Sequence, residues 1–217
     1  MIAQITSWIP QLLRGARITI LLTMCSVSMG LFLSIFLALG KMSKKKILSK
    51  CCDIYIFFFR GTPLLMQLYF IYFGLPQINM ALTINSRFFA AFLAFSLNSA
   101  AYCSEIIRAA IQSIDRGQFE ASQVLGFTKA QTMRLVIFPQ SIRRLIPPVA
   151  NEFIMVLKDA SLVSIIALAD LTKVTRAISS STGTALVYIP AMILYLIMTA
   201  FFEFFFRKME TKFSKYE

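Results

Sequence analysis

The chain has 217 residues, of which 58% are hydrophobic and only 15% charged, with a formal net charge of +12 and a mean hydropathy of +0.72. Soluble domains carry charged residues at roughly 25%, so this composition excludes an ordinary soluble domain and makes a lipid bilayer the natural solvent. The absence of histidine removes the commonest general base and metal ligand, and with it any Ser-His or Cys-His hydrolase. Cys25, Cys51, Cys52 and Cys103 form no CxxC pair and read as reduced packing residues.

In chain order, Ile2, Ile5, Trp8, Ile9, Leu12 and Leu13 fall near helical spacing. They fit either a short interfacial helix anchored by Trp8 or a frayed terminus. The opening residues lack a basic n-region and a small-residue cleavage site, so the first span is expected to stay in the protein. Five runs are long enough to cross roughly 30 Å of hydrocarbon. Residues 18–40 carry no charge, 54–78 contain only Arg60, and 88–107 contain only Glu105. Residues 149–169 hold Glu152, Lys158 and Asp159, and residues 185–206 are charge-free until Glu203. The expectation is a single all-α membrane domain over 1–217 with about five transmembrane helices.

Basic residues set orientation in membrane proteins. Lys41, Lys44, Lys45, Lys46, Lys50, Arg108, Arg116, Lys129, Arg134, Arg143, Arg144, Arg207, Lys208, Lys212 and Lys215 fall on one side. Only Arg14, Arg17, Arg87, Lys173 and Arg176 fall on the other. An odd number of spans with the N-terminus outside and the C-terminus in the cytoplasm accounts for this. The net charge is then topological, and nucleic-acid binding is not expected.

The loop at 108–148 exceeds what a turn between packed helices requires. Asp115 is a plausible N-cap for a helix that Gly126 ends. Thr128 followed by Gln131 reads as a capping box opening a second helix, which Pro139 limits. Two short helices joined at a glycine bend would make an ordered cytoplasmic knob.

Glu120-Ala121-Ser122 followed by Gly126 and then Phe138-Pro139-Gln140 resembles the EAA loop of permease subunits of ATP-binding cassette (ABC) importers. Arg60 to Leu68, Gly117 to Ala121, Arg143 to Pro147 and Lys158 to Leu162 are similar, in the same order, to the polar amino-acid branch of that family. Ser122 replaces an alanine, Ala160 stands where threonine or serine is commoner, and Asp170-Leu171 stands for Glu-Leu. The resemblance implies a type I ABC importer fold in the bacterial cytoplasmic (inner) membrane, with the knob as coupling helix. It also implies pairing with itself or a related permease, ATPase subunits docked on the cytoplasmic face and an extracytoplasmic amino-acid-binding protein. Glu120, Ala121 and Gly126 would serve ATPase coupling. No G-x-x-x-x-G-K-[ST] loop occurs in the chain, so no cofactor is expected here, and ATP and Mg would belong to the partner ATPase. The chain would perform no covalent chemistry.

Charges within a bilayer tend to face a cavity or a partner. Asn98, Tyr102 and Glu105 share one helical face of span 3; Asn151, Lys158 and Ser161 share one of span 4, with Glu152 and Asp159 beside it. A path lined by Asn98, Tyr102, Glu105, Lys158, Asp159 and Ser161 would offer partners to the ammonium and carboxylate of a polar amino acid. The alternative is that Lys158 and Asp159 pair structurally and never meet substrate. Arg60, Gly61 and Pro63 mark a break in span 2, as a gate or as a structural kink. A gated channel or ion-coupled carrier and a membrane scaffold are the competing functional readings.

Overall fold

The charge-free run at 18–40 belongs to a helix far longer than a bilayer needs. The structure, a computed structural model, describes residues 2–214, and α1 covers Ile2–Lys41 without interruption. At about 1.5 Å per residue it is some 60 Å long. Trp8 and Leu12 are buried in the main core together with Leu171, Ile178 and Val187, so Trp8 is a packing residue rather than an interfacial anchor. The side chain of Ile2 and the whole of Lys215 lie outside the described residues.

The other helices are α2 (Lys46–Gly61), α3 (Leu64–Tyr69), α4 (Leu75–Ile78), α5 (Arg87–Gln112), α6 (Arg116–Val124), α7 (Lys129–Gln131), α8 (Phe138–Asp159), α9 (Leu171–Thr182) and α10 (Tyr188–Ser214). No strand occurs among the described residues. Ile5–Lys41, Arg87–Gln112 and Ala185–Lys212 are long and apolar enough to cross a membrane. A fourth such unit is a bent pair, Lys46–Gly61 with Leu64–Ile78, turned by 102°. The run expected at 149–169 is carried by α8 and the 3-10 segment Ala160–Ile166.

Helices in lipid associate through close backbone approach. Ala90, Ala91, Ala94, Ala100 and Ala101 of α5 are fully buried, and a Cβ on Gly30 of α1 would come within 2.9 Å of Ser99. Two buried hydroxyls of α1 are absorbed locally: Thr23 donates to the Thr19 carbonyl at 2.9 Å and Thr19 to that of Gly15 at 3.2 Å. Thr19 also accepts from the Leu171 amide. A left-handed turn at Ala167 (φ 57°) redirects the chain here, and Asp170, fully buried, caps α9 by accepting from the amides of Thr172 and Lys173.

The expected second knob helix is not stopped by Pro139. It opens at Lys129, passes through a π-helical turn at Thr132–Ile137 and continues into α8. The π register pairs the Phe138 amide with the Met133 carbonyl, and Pro139 sits in the first turn of α8, where its missing donor is tolerated. With α5 reaching Gln112, the segment outside the long helices shrinks from the expected 108–148 to 113–137.

A Cβ on Gly15 would stand 2.8 Å from the Leu171 Cα and 2.9 Å from the Asp170 carbonyl oxygen, both backbone atoms. Gly15→Val is therefore expected to cost about 1–3 kcal/mol by overpacking, seen as a lower thermal midpoint of the purified protein in detergent. Gly61→Ala, where a Cβ meets nothing within 4 Å, should leave that midpoint in place.

Candidate functional site: a polar cavity and an exposed knob

Proline at position 63 has no amide hydrogen, and Thr62 before it is extended (φ −117°, ψ 145°), so the carbonyls ending α2 lose their helical donors. In a bilayer such groups must be satisfied by protein or by a water-filled cavity. Thr62 Oγ1 donates to the Phe58 carbonyl at 2.8 Å. Gln67 Nε2 is shared between the Phe59 carbonyl, the Thr62 carbonyl and Thr62 Oγ1, at 3.0, 3.1 and 2.8 Å. Asn98 Nδ2 reaches across from α5 to the Phe59 carbonyl and to Gln67 Oε1, both at 3.0 Å. Gln67 and Asn98 thus bracket the break and join the bent pair to α5.

A cavity of about 350 Å³ opens beside this bracket. Asn98, Tyr102, Glu152 and Asp159 line it together with Arg60 and the Gly61–Pro63 turn. Glu152 is 7% exposed and lies beside Ser99. The structure brings Asn98, Tyr102 and Asp159 together here, but not the other expected residues. Lys158 is exposed and, like Ser161, does not line this cavity. Their spacing predicts a common face but not its direction, and the inward face of α8 carries Glu152, Val156 and Asp159 instead.

Glu105 lies farther along α5 in an ion cluster. Its Oε1 meets Lys41 Nζ at 2.8 Å, its Oε2 meets Arg108 at 2.7 Å, and Arg60 stands at 4.0 Å. Lys41 also bridges to Asp53 at 2.9 Å. Sequence reasoning passed over Gln67 and left Glu152 as a neighbour. Glu152 and Asp159 are seven residues apart, the helical repeat that could have paired them; an uncharged Gln67 in an apolar run gives no comparable signal.

The knob is built as its caps predict. Asp115 accepts from the Gly117 amide at 2.6 Å. Gly126 (φ 78°) completes a Schellman end, with Phe127 N–H donating to the Ser122 carbonyl and Gly126 N–H to that of Gln123. Thr128 and Gln131 form the full capping box. Ile111, Ile114 and Ile137, with Phe119 and Met133 against them, fasten the knob to the bundle. Ser122, the departure from the EAA pattern, is 3% exposed and donates to the Gln118 carbonyl, so it faces inward. Glu120 and Ala121 are exposed, beside Val124 and Leu125 at 88% and 73% exposure.

The described residues form an all-helical membrane chain with a polar cavity at a broken span and an apolar and acidic face held out on a capped knob, an arrangement that suits a transport permease. Its sequence matches a family profile over residues 30–215. The chain belongs to the family of binding-protein-dependent transport system inner membrane components. Among curated relatives, the arginine transport system permease protein ArtQ of Bacillus subtilis (strain 168) is 38% identical, over 94% of this chain and 93% of that protein. The L-cystine transport system permease protein TcyB of the same strain is 41% identical, over 88% and 82%. A solved amino acid ABC transporter crystallised with histidines contains a chain 40% identical to this one, with a TM-score of 0.91 over 97% of both. The MetNI methionine ABC transporter, at 17% identity and TM-score 0.79 over 94% of this chain and 96% of that one, shares the fold.

Gln67→Leu would strand the Thr62 carbonyl and leave the Phe59 carbonyl to Asn98 alone. A loss of about 1–2 kcal/mol is expected, measured as a lower thermal midpoint in detergent. An unchanged midpoint would show that the bracket carries no weight.

Proposed function

We propose that this chain is the membrane-spanning permease of an ATP-driven importer of a polar amino acid, working in the bacterial cytoplasmic membrane as one domain of five spans. The observation that carries the reading is the knob: a short helix capped at both ends that holds Glu120, Ala121, Val124 and Leu125 in the open. Exposed aliphatic side chains beside a carboxylate, on a rigid support, suit a groove on a second protein. In a chain without a phosphate loop, an ATPase subunit is the partner that such a face would serve. The excess of lysine and arginine at the knob end supports a cytoplasmic position for that end, where ATP is available, with the N-terminus outside.

The substrate path runs through the cavity at the broken span. Glu152 and Asp159, both on the cavity wall, can receive an ammonium. A volume of about 350 Å³ suits one amino acid. The relatives named for arginine and cystine transport support the substrate class. Glu105, outside this cavity, belongs to the exit side of the path. Lys158, exposed on the outer face of α8 in the run at 149–169, is at a depth where lipid contact is costly. A second permease copy, identical or homologous, would cover that face, with an extracytoplasmic binding protein delivering substrate from the other side. Closure of paired ATPase subunits would bring the knobs together and rock the spans between two states.

Val124→Asp with Leu125→Asp removes two exposed aliphatic contacts worth about 1.5–3 kcal/mol each when buried. Co-purification of the cognate ATPase should fall more than about tenfold while the variant still inserts and purifies. Undiminished recovery of the ATPase would move docking away from this face.

A further inference from the structure

Arg60 stands where three cavities meet. It lines the substrate cavity with Glu152 and Asp159. It also lines a cavity of about 690 Å³ that reaches Lys41, Lys50 and Asp53, and one of about 550 Å³ that reaches Glu105, Arg108 and Arg144. Tyr102 is the one other described residue common to all three, and the Arg60 guanidinium lies 5.3 Å from its ring centroid. This cation–π pair is the partition between the substrate cavity and the two cavities toward the knob end.

The charges on the two sides of the partition differ. The substrate cavity holds two carboxylates, Glu152 and Asp159, and no cation other than Arg60. The knob-end cavities hold Lys41, Lys50, Arg108 and Arg144, against Asp53 and Glu105. Those two acids are already engaged by Lys41 and Arg108 at 2.7–2.9 Å. Arg60 has the weakest hold in that cluster: its nitrogen stops 4.0 Å from Glu105, and its side chain is 44% exposed against 16% for Glu105. It also sits at the end of α2, one residue before Gly61, around which there is open space, and at the 102° bend. The guanidinium has room to move.

Two carboxylates at membrane depth are costly without a cation. We infer that Arg60 is a resident counter-cation that alternates between two positions: toward Glu152 and Asp159 when the cavity is empty, and against Tyr102 and Glu105 when a substrate ammonium takes the two acids. Lys41 and Arg108 remain on Glu105 throughout. Arg60 therefore competes with substrate for the cavity acids, and its return displaces the ammonium toward the knob end. This rests on the proposed substrate cavity.

The test uses the purified complex of the permease with its ATPase, equilibrated with an equimolar mixture of the twenty amino acids, with the retained species identified and titrated by mass spectrometry. Arg60→Ala should tighten retention of that amino acid by about tenfold, the scale on which removing a competing state raises apparent affinity. Glu105→Gln, and independently Tyr102→Leu, should weaken it, because each withdraws the position to which Arg60 retreats. The double variant Arg60→Ala/Glu105→Gln should follow Arg60→Ala, since Glu105 acts through Arg60. If Arg60→Ala and Tyr102→Leu both weaken retention, the pair is structural and the alternation is overturned while the cavity stands. If the wild-type complex retains no amino acid, the substrate cavity itself is wrong and the alternation falls with it.

Discussion

A peptide carbonyl cannot be left unpaired in hydrocarbon, and the rest of this structure depends on how that constraint is met at one place. Pro63 ends α2 within the bent apolar pair and frees the carbonyls of Phe58, Phe59 and Thr62. The side chains of Thr62, Gln67 and Asn98 satisfy them. Once these bonds exist, the chain can turn by 102° without returning to lipid, and the turn opens a polar cavity. Asn98 anchors that turn to α5, which the small-residue seam of Gly30, Ser99 and the alanines locks against α1. Cavity, break and bundle are therefore one mechanical unit.

The same unit connects the cavity to the knob. From Asn98, α5 continues past Tyr102 and Glu105 to Gln112, then turns into the capped helix α6. α8 carries Glu152 and Asp159 at one end and, through the π turn, merges with the second knob helix at the other. Two of the helices that supply polar groups to the cavity, α5 and α8, are the ones that emerge at the knob. A force on the exposed face of α6 has a short, stiff route to the cavity walls, as the proposed coupling requires.

Local chemistry made much of this readable from the residues. Charge-free runs of about twenty residues have few alternatives to a membrane helix. Asp115, Gly126, Thr128 and Gln131 obey capping rules that act within four residues, and each is realised. What was not readable depends on distant partners. Pro139 looks like a stop until the π register is seen to accommodate it. Trp8 has the composition of an interfacial anchor, yet it is buried in the main core. The spacing of Asn151, Lys158 and Ser161 names a face of α8 but cannot say whether the bundle lies on that face or on the one carrying Glu152. Gln67 carries no charge to draw notice; its role comes from Asn98, thirty-one residues away.

In the proposed function, movement of substrate through the cavity at the broken span is driven from the knob by a separate ATPase. The most direct measurement is uptake of labelled amino acid into proteoliposomes containing the permease, its cognate binding protein outside and ATP inside, with and without the ATPase subunit. The account predicts uptake that requires both ATP and that subunit and is absent when either is withheld. Uptake that persists without the ATPase, driven by an ion gradient alone, would contradict it.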